Sequence, residues 1–356
     1  MYDVAERAGV SIATVSRVYR NPDTVRAATR EKVLAAGQEL GYVPSASARG
    51  LASRSTGVLG LFFPDFADPE AEAQAEARAE GSVPDGAMED VELSFYGDEV
   101  IRGMERAARR RGYALLIAAA PMDRAGEVLP EVAGRVDGLA VLAHHVPADA
   151  LDMVSRRLPV VVLAGDQARG RGSVDRIDVA NFDGQMELTR HLIEDHGLRD
   201  LAFIGGPEDS PDAGARFRGF QAAHLAAGLP LPELPATRGD LTLAAGRKAA
   251  LELLDRDGAR LQGLVFANDQ MAVGALHALA ERGVSVPGDL AVTGFDGIPL
   301  GRLVRPALTT VRQPMPRLGE RAVELLLARL ADRERPVVSP TLPTAVARRA
   351  SCGCGA

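Results

Sequence analysis

The sequence predicts a small all-α domain at the N-terminus, followed by a larger α/β domain with two doubly wound parallel sheets. Short helical patterns separated by turn residues fill the first 44 residues. From Val58 onwards, short continuous apolar runs alternate with helical patterns, which is typical of strands buried on both faces and of their connecting helices. Seven such runs are present, and this number fits two sheets that lie side by side.

The N-terminal helices are bounded by residues that start and stop helices. Gly9 ends the first helix, and Ser11 is a good N-cap for the second, which Asn21-Pro22 ends. A third helix is predicted over 27–40. The short connection between the first two helices predicts a helix-turn-helix motif.

In the second domain, glycine, proline or charged residues bound each predicted strand. The apolar runs are VLGLFF (58–63), ALLIAA (114–119), GLAVLA (138–143), PVVVLA (159–164), LAFIGG (201–206), GLVFAN (263–268) and LAVTGF (290–295). The helical patterns lie at 99–112, 184–197, 215–228, 244–256, 269–283 and 316–332. This alternation predicts parallel strands joined by helical crossovers.

The composition is that of a folded protein without a membrane span or a disulfide framework. Apolar residues make up 46% of the 356 residues and charged residues 25%. Since there is no apolar run of about 18 residues and no secretion signal at the N-terminus, we expect a cytoplasmic protein without membrane contact. The only cysteines, Cys352 and Cys354, leave a Cys-rich zinc site short of ligands, so we expect no metal and no cofactor.

Charge is distributed unevenly along the chain, whose net charge is −7. Residues 1–55 carry a net charge of +3, whereas residues 65–98 carry −10. A basic head on an otherwise acidic chain favours a protein in which only the head approaches a polyanion.

The spacing of small and branched apolar residues in the head supports the helix-turn-helix motif. Ala5 is small where the two helices touch, Gly9 permits the turn, and Val10, Val15 and Val18 fill the shared core. This packing exposes one face of the second helix, which can then enter the major groove of DNA.

Three residues on that face are candidates for reading bases. Arg17 can donate two hydrogen bonds to guanine, whereas Ile12 and Ala13 offer apolar contact. Short polar residues near the helix ends suit phosphate oxygens, namely Ser11, Thr14, Ser16 and Asn21. The alternative is a three-helix unit that binds a protein partner.

The first 65 residues contain several short motifs at fixed spacing, which together match one known family. They are D-V-A-x-x-A-G-V-S (3–11), T-V-S-R-V (14–18), T-R-x-x-V (29–33), L-G-Y-x-P (40–44) and A-R-x-L (48–51). With these motifs the chain resembles the lactose-repressor (LacI/GalR) family of bacterial transcription regulators. The resemblance extends to the C-terminal SCG and omits a stretch near 67–92. The chain departs from the family pattern at Ser45, where an asparagine is usual, and at Arg26, where a small capping residue is common.

The resemblance implies three segments. These are a DNA-binding domain over 1–44, a hinge over 45–56, and a two-lobed, periplasmic-binding-protein-like sensor and dimerisation domain over 57–356. The N-lobe would comprise about 57–179 and 310–340, and the C-lobe about 180–309 and 341–356. In the hinge, the resemblance implies that Leu51 from each of two subunits inserts into a base step through the minor groove, with Ala48 packed nearby and Arg49 facing phosphate.

The resemblance also implies an effector site between the lobes, at the carboxyl ends of the strands. The matching residues are Tyr96, Arg216, Asn268, Asp269 and Asp296. Amide and carboxylate groups suit sugar hydroxyls, and an aromatic ring at the position of Tyr96 often stacks on ligand. Structural roles remain open for most of them: a helix cap for Asn268 or Asp269, a turn for Asp296, and a surface ion pair for Arg216.

An acidic insertion at 67–92 departs most from the family. We expect it to be disordered or a mobile acidic flap; the functional alternative is that it gates ligand entry or repels DNA.

No catalytic constellation is present, since the sequence lacks a P-loop, G-x-S-x-G and H-E-x-x-H. We therefore expect no enzyme. The predicted function is a homodimeric, operator-binding transcriptional regulator, a repressor, controlled by a small effector such as a sugar. The alternative is a small-molecule sensor whose head binds a protein.

Overall fold

A computed structural model describes residues 1–42, 55–65, 95–121, 123–142, 146–163, 174–258 and 260–355. The chain divides into two compact units, Met1–Val58 and Leu59–Ala356, which are described separately. The predicted fold class, an all-α head and an α/β body with two sheets, is confirmed. The predicted hinge residues Ala48, Arg49 and Leu51 and the acidic insertion at 67–92 lie outside the described residues.

Within residues 1–42, the head contains three helices. They are α1 (Tyr2–Ala8), α2 (Ile12–Arg20) and α3 (Ala27–Glu39), with a 3₁₀ turn at Pro22–Thr24. Gly9 ends α1 in the left-handed conformation with φ 65°, and the Ser11 hydroxyl accepts a hydrogen bond from the Thr14 amide at the start of α2. The head has its own small core, formed by Val4, Ala5, Val15, Val18, Val33 and Ala36.

The body contains two six-stranded sheets. The first has the strands β1 (Val58–Asp65), β2 (Ala114–Pro121), β3 (Gly138–Leu142), β4 (Val160–Leu163), β5 (Asp175–Val179) and β11 (Thr341–Leu342), in the order β11-β5-β4-β3-β1-β2. The second has the strands β6 (Leu201–Gly205), β7 (Thr237–Arg238), β8 (Gly263–Phe266), β9 (Ala291–Asp296), β10 (Thr309–Arg312) and β12 (Ala345–Ala347), in the order β12-β10-β9-β8-β6-β7.

Helices connect the strands of both sheets. They are α4 (Phe95–Arg110), α5 (Ala125–Ala133), α6 (Ala148–Arg157), α7 (Asn181–Glu194), α8 (Pro211–Ala226), α9 (Leu243–Asp257), α10 (Asp269–Glu281), α11 (Leu300–Leu303) and α12 (Met315–Ala331). Within the described residues, no helix is both long and apolar enough to cross a membrane.

The chain passes between the sheets at positions that differ from the expected lobe boundaries. We expected 310–340 in the first lobe and 341–356 in the second. However, β10 at Thr309–Arg312 pairs with β9 in the second sheet, and β11 at Thr341–Leu342 pairs with β5 in the first. The chain therefore crosses from the second lobe to the first after Arg312 and returns to the second lobe after Leu342. Strand pairing, which a sequence pattern does not encode, determines these points.

The helices α7 and α8 approach each other closely because Gly219 lies between them. A Cβ atom at Gly219 would lie 2.3 Å from the carbonyl oxygen of Phe182 and 3.0 Å from the amide nitrogen of Met186. Backbone atoms of α7 therefore occupy the space that any larger side chain would need. This close approach brings the N-terminal parts of α7 and α8 together, where the site described below begins.

Replacing Gly219 tests this helix contact. We expect Gly219→Ala to lower the free energy of unfolding by about 1–3 kcal/mol, because α7 and α8 must move apart. Gly214→Ala on the same helix is the matched control, since its Cβ would meet only the end of the Arg218 side chain, at 3.4 Å. The control should be neutral or about 0.5–1 kcal/mol more stable. Denaturant unfolding measures both, and equal stability of the two variants would contradict the close contact.

Candidate functional site

The second helix of the head presents the predicted base-reading residues to solvent. Ile12, Ala13 and Arg17 are exposed, whereas Val15 and Val18 on the other side of α2 are almost fully buried. The head is thus held together by one face of α2, and the other face is available for contact. The geometry agrees with a recognition helix.

Of the short polar residues near the ends of α2, Ser11 already bonds to the helix backbone. Ser11 caps the helix, and its hydroxyl lies 2.9 Å from the hydroxyl of Thr14. At the other end, the backbone carbonyl of Asn21 accepts a hydrogen bond from the Thr24 hydroxyl at 2.7 Å. Ser16 is half-buried and Asn21 is exposed. Their phosphate contacts remain predictions.

In the body, the Arg216 guanidinium is buried at the carboxyl ends of the strands of the second sheet. Its Nε donates to Asn181 Oδ1 at 2.9 Å, and its Nη1 donates to the carbonyl oxygen of Ala267 at 2.6 Å. The same Nη1 lies 3.4 Å from Asp296 Oδ1. The guanidinium also stacks on the Phe295 ring, 3.9 Å from its centroid. Arg216 is therefore a buried group, and the alternative of a surface ion pair is excluded.

Asp296 ends β9 and faces this cation. Gln313 Nε2 donates to Asp296 Oδ1 at 2.6 Å, and the residue has an unusual positive φ of 122°. Burial raises the pKa of Asp296 to about 6, although the nearby Arg216 charge and the Gln313 hydrogen bond lower it. Within the described part of the chain, the buried Oε1 of Gln313 has no hydrogen-bond partner. A ligand hydroxyl could supply one.

Gln313, Asn181 and Asp212 are further residues of the site that were not predicted from the sequence. Asn181 Nδ2 donates to Asp212 Oδ1 at 3.0 Å, while its Oδ1 accepts from Arg216. Asn181 begins α7 directly after β5, and Asp212 lies in the first turn of α8, the next helix after β6. A polar residue at the first turn of a helix after a buried strand is the signal that could have identified both.

Tyr96 brings the first lobe to this polar set. It lies on α4, which packs on the first sheet, and it is partly buried. Burial raises the pKa of the Tyr96 hydroxyl well above its usual range, and the charges of Asp212 and Asp296 raise it further, while that of Arg216 lowers it. These influences mean that the hydroxyl lies near all three charged groups of the second lobe. A ligand contact of Tyr96 at a cleft between the lobes remains a prediction.

Asn268 and Asp269 mainly hold the protein together at the edge of this site. Asn268 Oδ1 accepts from the Met271 amide and caps α10, while its Nδ2 donates to the Leu241 carbonyl at 2.8 Å. The Asp269 carboxylate accepts from the amides of Gly297 and Ile298 and from the Thr310 hydroxyl, at 2.5–2.9 Å. Burial and the Asp296 charge raise the pKa of Asp269 well above its usual range. The helix-cap role is thus present for Asn268, and ligand contact by either residue remains a prediction.

The buried Asp296 carboxyl group gives a pH-dependent stability. Since its pKa is raised from 3.8 to about 6, the folded state holds the proton more tightly, and the free energy of unfolding contributed by this group falls as pH rises through that range. We expect Asp296→Asn to reduce this fall by up to about 3 kcal/mol. Loss of the Asp296 charge also lowers the pKa of Asp269, and this change reduces the fall in the free energy of unfolding with rising pH as well. Urea unfolding of both proteins between pH 4 and pH 7 measures the difference, and parallel pH profiles would contradict it.

Comparisons with known proteins agree with this geometry. Residues 1–45 match the family described as bacterial regulatory proteins, lacI family, and residues 189–352 match the periplasmic binding protein-like domain. The chain is 31% identical to catabolite control protein A of Priestia megaterium over 92% of this chain and 91% of that protein. It is 34% identical to the ribose operon repressor of Escherichia coli (strain K12) over 93% of each chain.

Solved structures are similar over the whole length. The lac repressor dimer bound to operator and the anti-inducer ONPF has a TM-score of 0.78 and 25% identity, covering 99% of this chain and 98% of that one. The complex of the transcriptional regulator CelR with cellobiose has a TM-score of 0.69 and 29% identity, covering 98% of each chain. The resemblance inferred from the motifs is thereby confirmed, and the protein is a regulator rather than an enzyme. The chain belongs to the lacI family of bacterial regulatory proteins and is a DNA-binding transcriptional regulator.

Proposed function

We propose that this protein is a cytoplasmic repressor that binds a pseudo-palindromic operator as a homodimer. Its affinity for the operator falls or rises when a sugar or sugar derivative binds beside Arg216. The observation that carries the effector assignment is the polar set around that guanidinium. Asn181, Asp212 and Asp296 surround it within the second lobe, and Tyr96 approaches from the first.

The chemistry of this set favours a ligand rich in hydroxyl groups. A hydroxyl both donates and accepts, so it can pair with the carboxylates of Asp212 and Asp296 and with the Gln313 carbonyl oxygen. Tyr96 adds aromatic surface suited to a sugar ring. Two relatives carry names that point the same way, the CelR–cellobiose complex and the ribose operon repressor. Other relatives have names without a sugar, so nucleosides belong in the same ligand screen.

Coupling between the effector and the operator would follow from the two-lobed site. A ligand that contacts Tyr96 and Arg216 together favours a closed arrangement of the lobes. If the closed and open arrangements differ in DNA affinity, each ligand changes the affinity for the other by the same factor, typically ~1–3 kcal/mol. Two identical heads would meet the two halves of the operator about one helical turn apart.

Arg17 tests the role of the head. We expect Arg17→Ala to abolish preference for the operator over unrelated duplex, because the exposed side chain can no longer read guanine; such a contact is worth ~1–3 kcal/mol. The measurement is a gel shift on the DNA upstream of its own gene, with an unrelated duplex as competitor. Arg7→Ala is the matched control, since it removes the same charge from the head but loses only an exposed ion pair with Glu39, 2.8 Å long.

Salt dependence separates DNA binding from the alternative, a head that binds a protein. Phosphate contacts release counterions, so operator affinity should fall steeply between two salt concentrations. Unchanged operator preference in Arg17→Ala would remove α2 from the recognition surface. Absence of any salt-dependent shift with the parent protein would favour the protein-binding alternative.

Arg216 tests the effector site. A thermal-shift screen of sugars and nucleosides first identifies a ligand that raises the melting temperature, since a ligand that binds only the folded state stabilises it. We expect Arg216→Gln to lose that shift and the ligand's effect on operator binding, while operator binding without ligand persists. Arg218→Gln, exposed on the same helix two residues away, should respond as the parent does.

A second variant keeps this test informative if Arg216→Gln folds poorly. Asp212→Asn leaves the buried cation in place and removes a negative charge beside Asn181. A normal ligand response in both variants would exclude this set as the effector site.

A further inference from the structure

Four metal-binding side chains meet at the far end of α7. His191 lies in the last turn of α7 and His196 follows it, whereas Cys352 and Cys354 lie near the C-terminal end of the chain. The cysteines and His191 belong to the body unit, where the 3₁₀ turn at Ala350–Cys352 packs on β9 and β10. The sequence analysis expected no zinc site because it counted only the cysteines. The fold supplies two histidines more than 150 residues earlier in the chain.

Four of the six separations between the donor atoms are close to those around one tetrahedral ion. Cys354 Sγ lies 3.3 Å from Nε2 of both His191 and His196, and Cys352 Sγ lies 3.6 Å from His191 Nε2. The two Nε2 atoms are 3.2 Å apart, and all four donor atoms lie within 4.8 Å of one another. A zinc ion with Zn–S of about 2.3 Å and Zn–N of about 2.0–2.1 Å would place sulfur and nitrogen roughly 3.6 Å apart and the nitrogens roughly 3.3 Å apart.

An outer carboxylate orients one of the histidines. His191 Nδ1 lies 2.7 Å from Asp195 Oδ2, so the ring donates its Nδ1 proton to the carboxylate and turns the Nε2 lone pair toward the sulfur atoms. Arg348 lies 3.4 Å from the same carboxylate oxygen and supports it. A carboxylate behind a histidine is the usual arrangement at zinc sites, where it fixes the tautomer and strengthens the ligand.

The glycine between the two cysteines lets both face the same point. Gly353 has a φ of 95°, in the left-handed region that favours glycine, and it ends the 3₁₀ turn. The Thr309 hydroxyl on β10 lies 3.1 Å from Cys352 Sγ and helps to position this thiol. Cys352 and His191 are buried, while Cys354 and His196 are half-buried, so the site has a route to solvent.

We propose that His191, His196, Cys352 and Cys354 bind one Zn²⁺ in a structural site. Two thiolates and two imidazoles at tetrahedral spacing form a donor set that selects zinc, and four protein ligands leave no open position for substrate. The ion would fasten the C-terminal segment, which follows β12, to the end of α7. The other end of α7 carries Asn181, so the same helix joins the metal site to the effector site.

The direct test is metal content and spectroscopy of the tag-free full chain, purified with a reductant and depleted of metal. We expect it to take up about one Zn²⁺ per chain. Loading with Co²⁺ instead should give the visible bands of a tetrahedral ion together with an ultraviolet thiolate-to-metal band. Zinc should also raise the melting temperature, because binding free energy at such a site is folding free energy.

Variants assign the ligands in graded order. Asp195→Asn keeps all four ligands and should weaken zinc binding by roughly 10–100-fold, as the loss of an outer partner does elsewhere. Cys354→Ser should weaken zinc binding further and remove or reduce the thiolate band. His196→Gln should also weaken zinc binding further and change the cobalt geometry. His277→Gln, an exposed histidine on α10, is the matched control and should bind like the parent.

Two results would overturn the proposal, and neither depends on a variant that folds. The first is a reduced parent protein that takes up no Zn²⁺, or binds Co²⁺ without a thiolate band. The second is a disulfide between Cys352 and Cys354 that forms in the presence of excess zinc. In either case the short sulfur–nitrogen distances would reflect S–H···N hydrogen bonds or oxidation rather than a metal site.

Discussion

A guanidinium group buried between strands and helices needs partners for its charge and for its N–H groups, and the Arg216 site is built to satisfy that need. Partners come from the start of α7, the residue after β8 and the end of β9, namely Asn181, Ala267 and Asp296. An unpaired charge at this depth would cost several kcal/mol. The Arg216 guanidinium therefore holds each of these elements in place. Gly219 allows α7 and α8 to come close enough for the first of these contacts.

The electrostatics of the site extend to the point where the chain leaves the second sheet. Asp269 fixes the backbone after β9 through Gly297 and Ile298, and it fixes β10 through Thr310. Burial raises the pKa of the Asp269 carboxyl group, and the charge of Asp296 raises it further, so the two acidic groups are electrostatically linked. After β10 the chain passes into α12, which packs on the first sheet.

Local signals in the sequence were sufficient for the head and for most strands, and insufficient wherever two distant segments meet. Gly9 and Ser11 mark helix ends by their own chemistry, so α1 and α2 could be located. The strand β5 was missed because Asp175, Arg176 and Asp178 leave it without a continuous apolar run. The buried charge of Asp175 is compensated by Arg329 at 2.9 Å, 154 residues away. Asn181 and Asp212 were missed because they meet only in the fold. The same holds for the proximity of His191 to the two cysteines. A family resemblance identified Arg216 and Asp296, whose burial only the fold explains.

The central claim is that occupation of the Arg216 site changes the affinity of the head for DNA. Thermodynamic linkage tests it most directly: the dissociation constant for the operator is measured with and without saturating effector, and that for the effector with and without operator. We expect both constants to change by the same factor, about 5–150-fold. An operator affinity that stays constant while the effector saturates the body would contradict it.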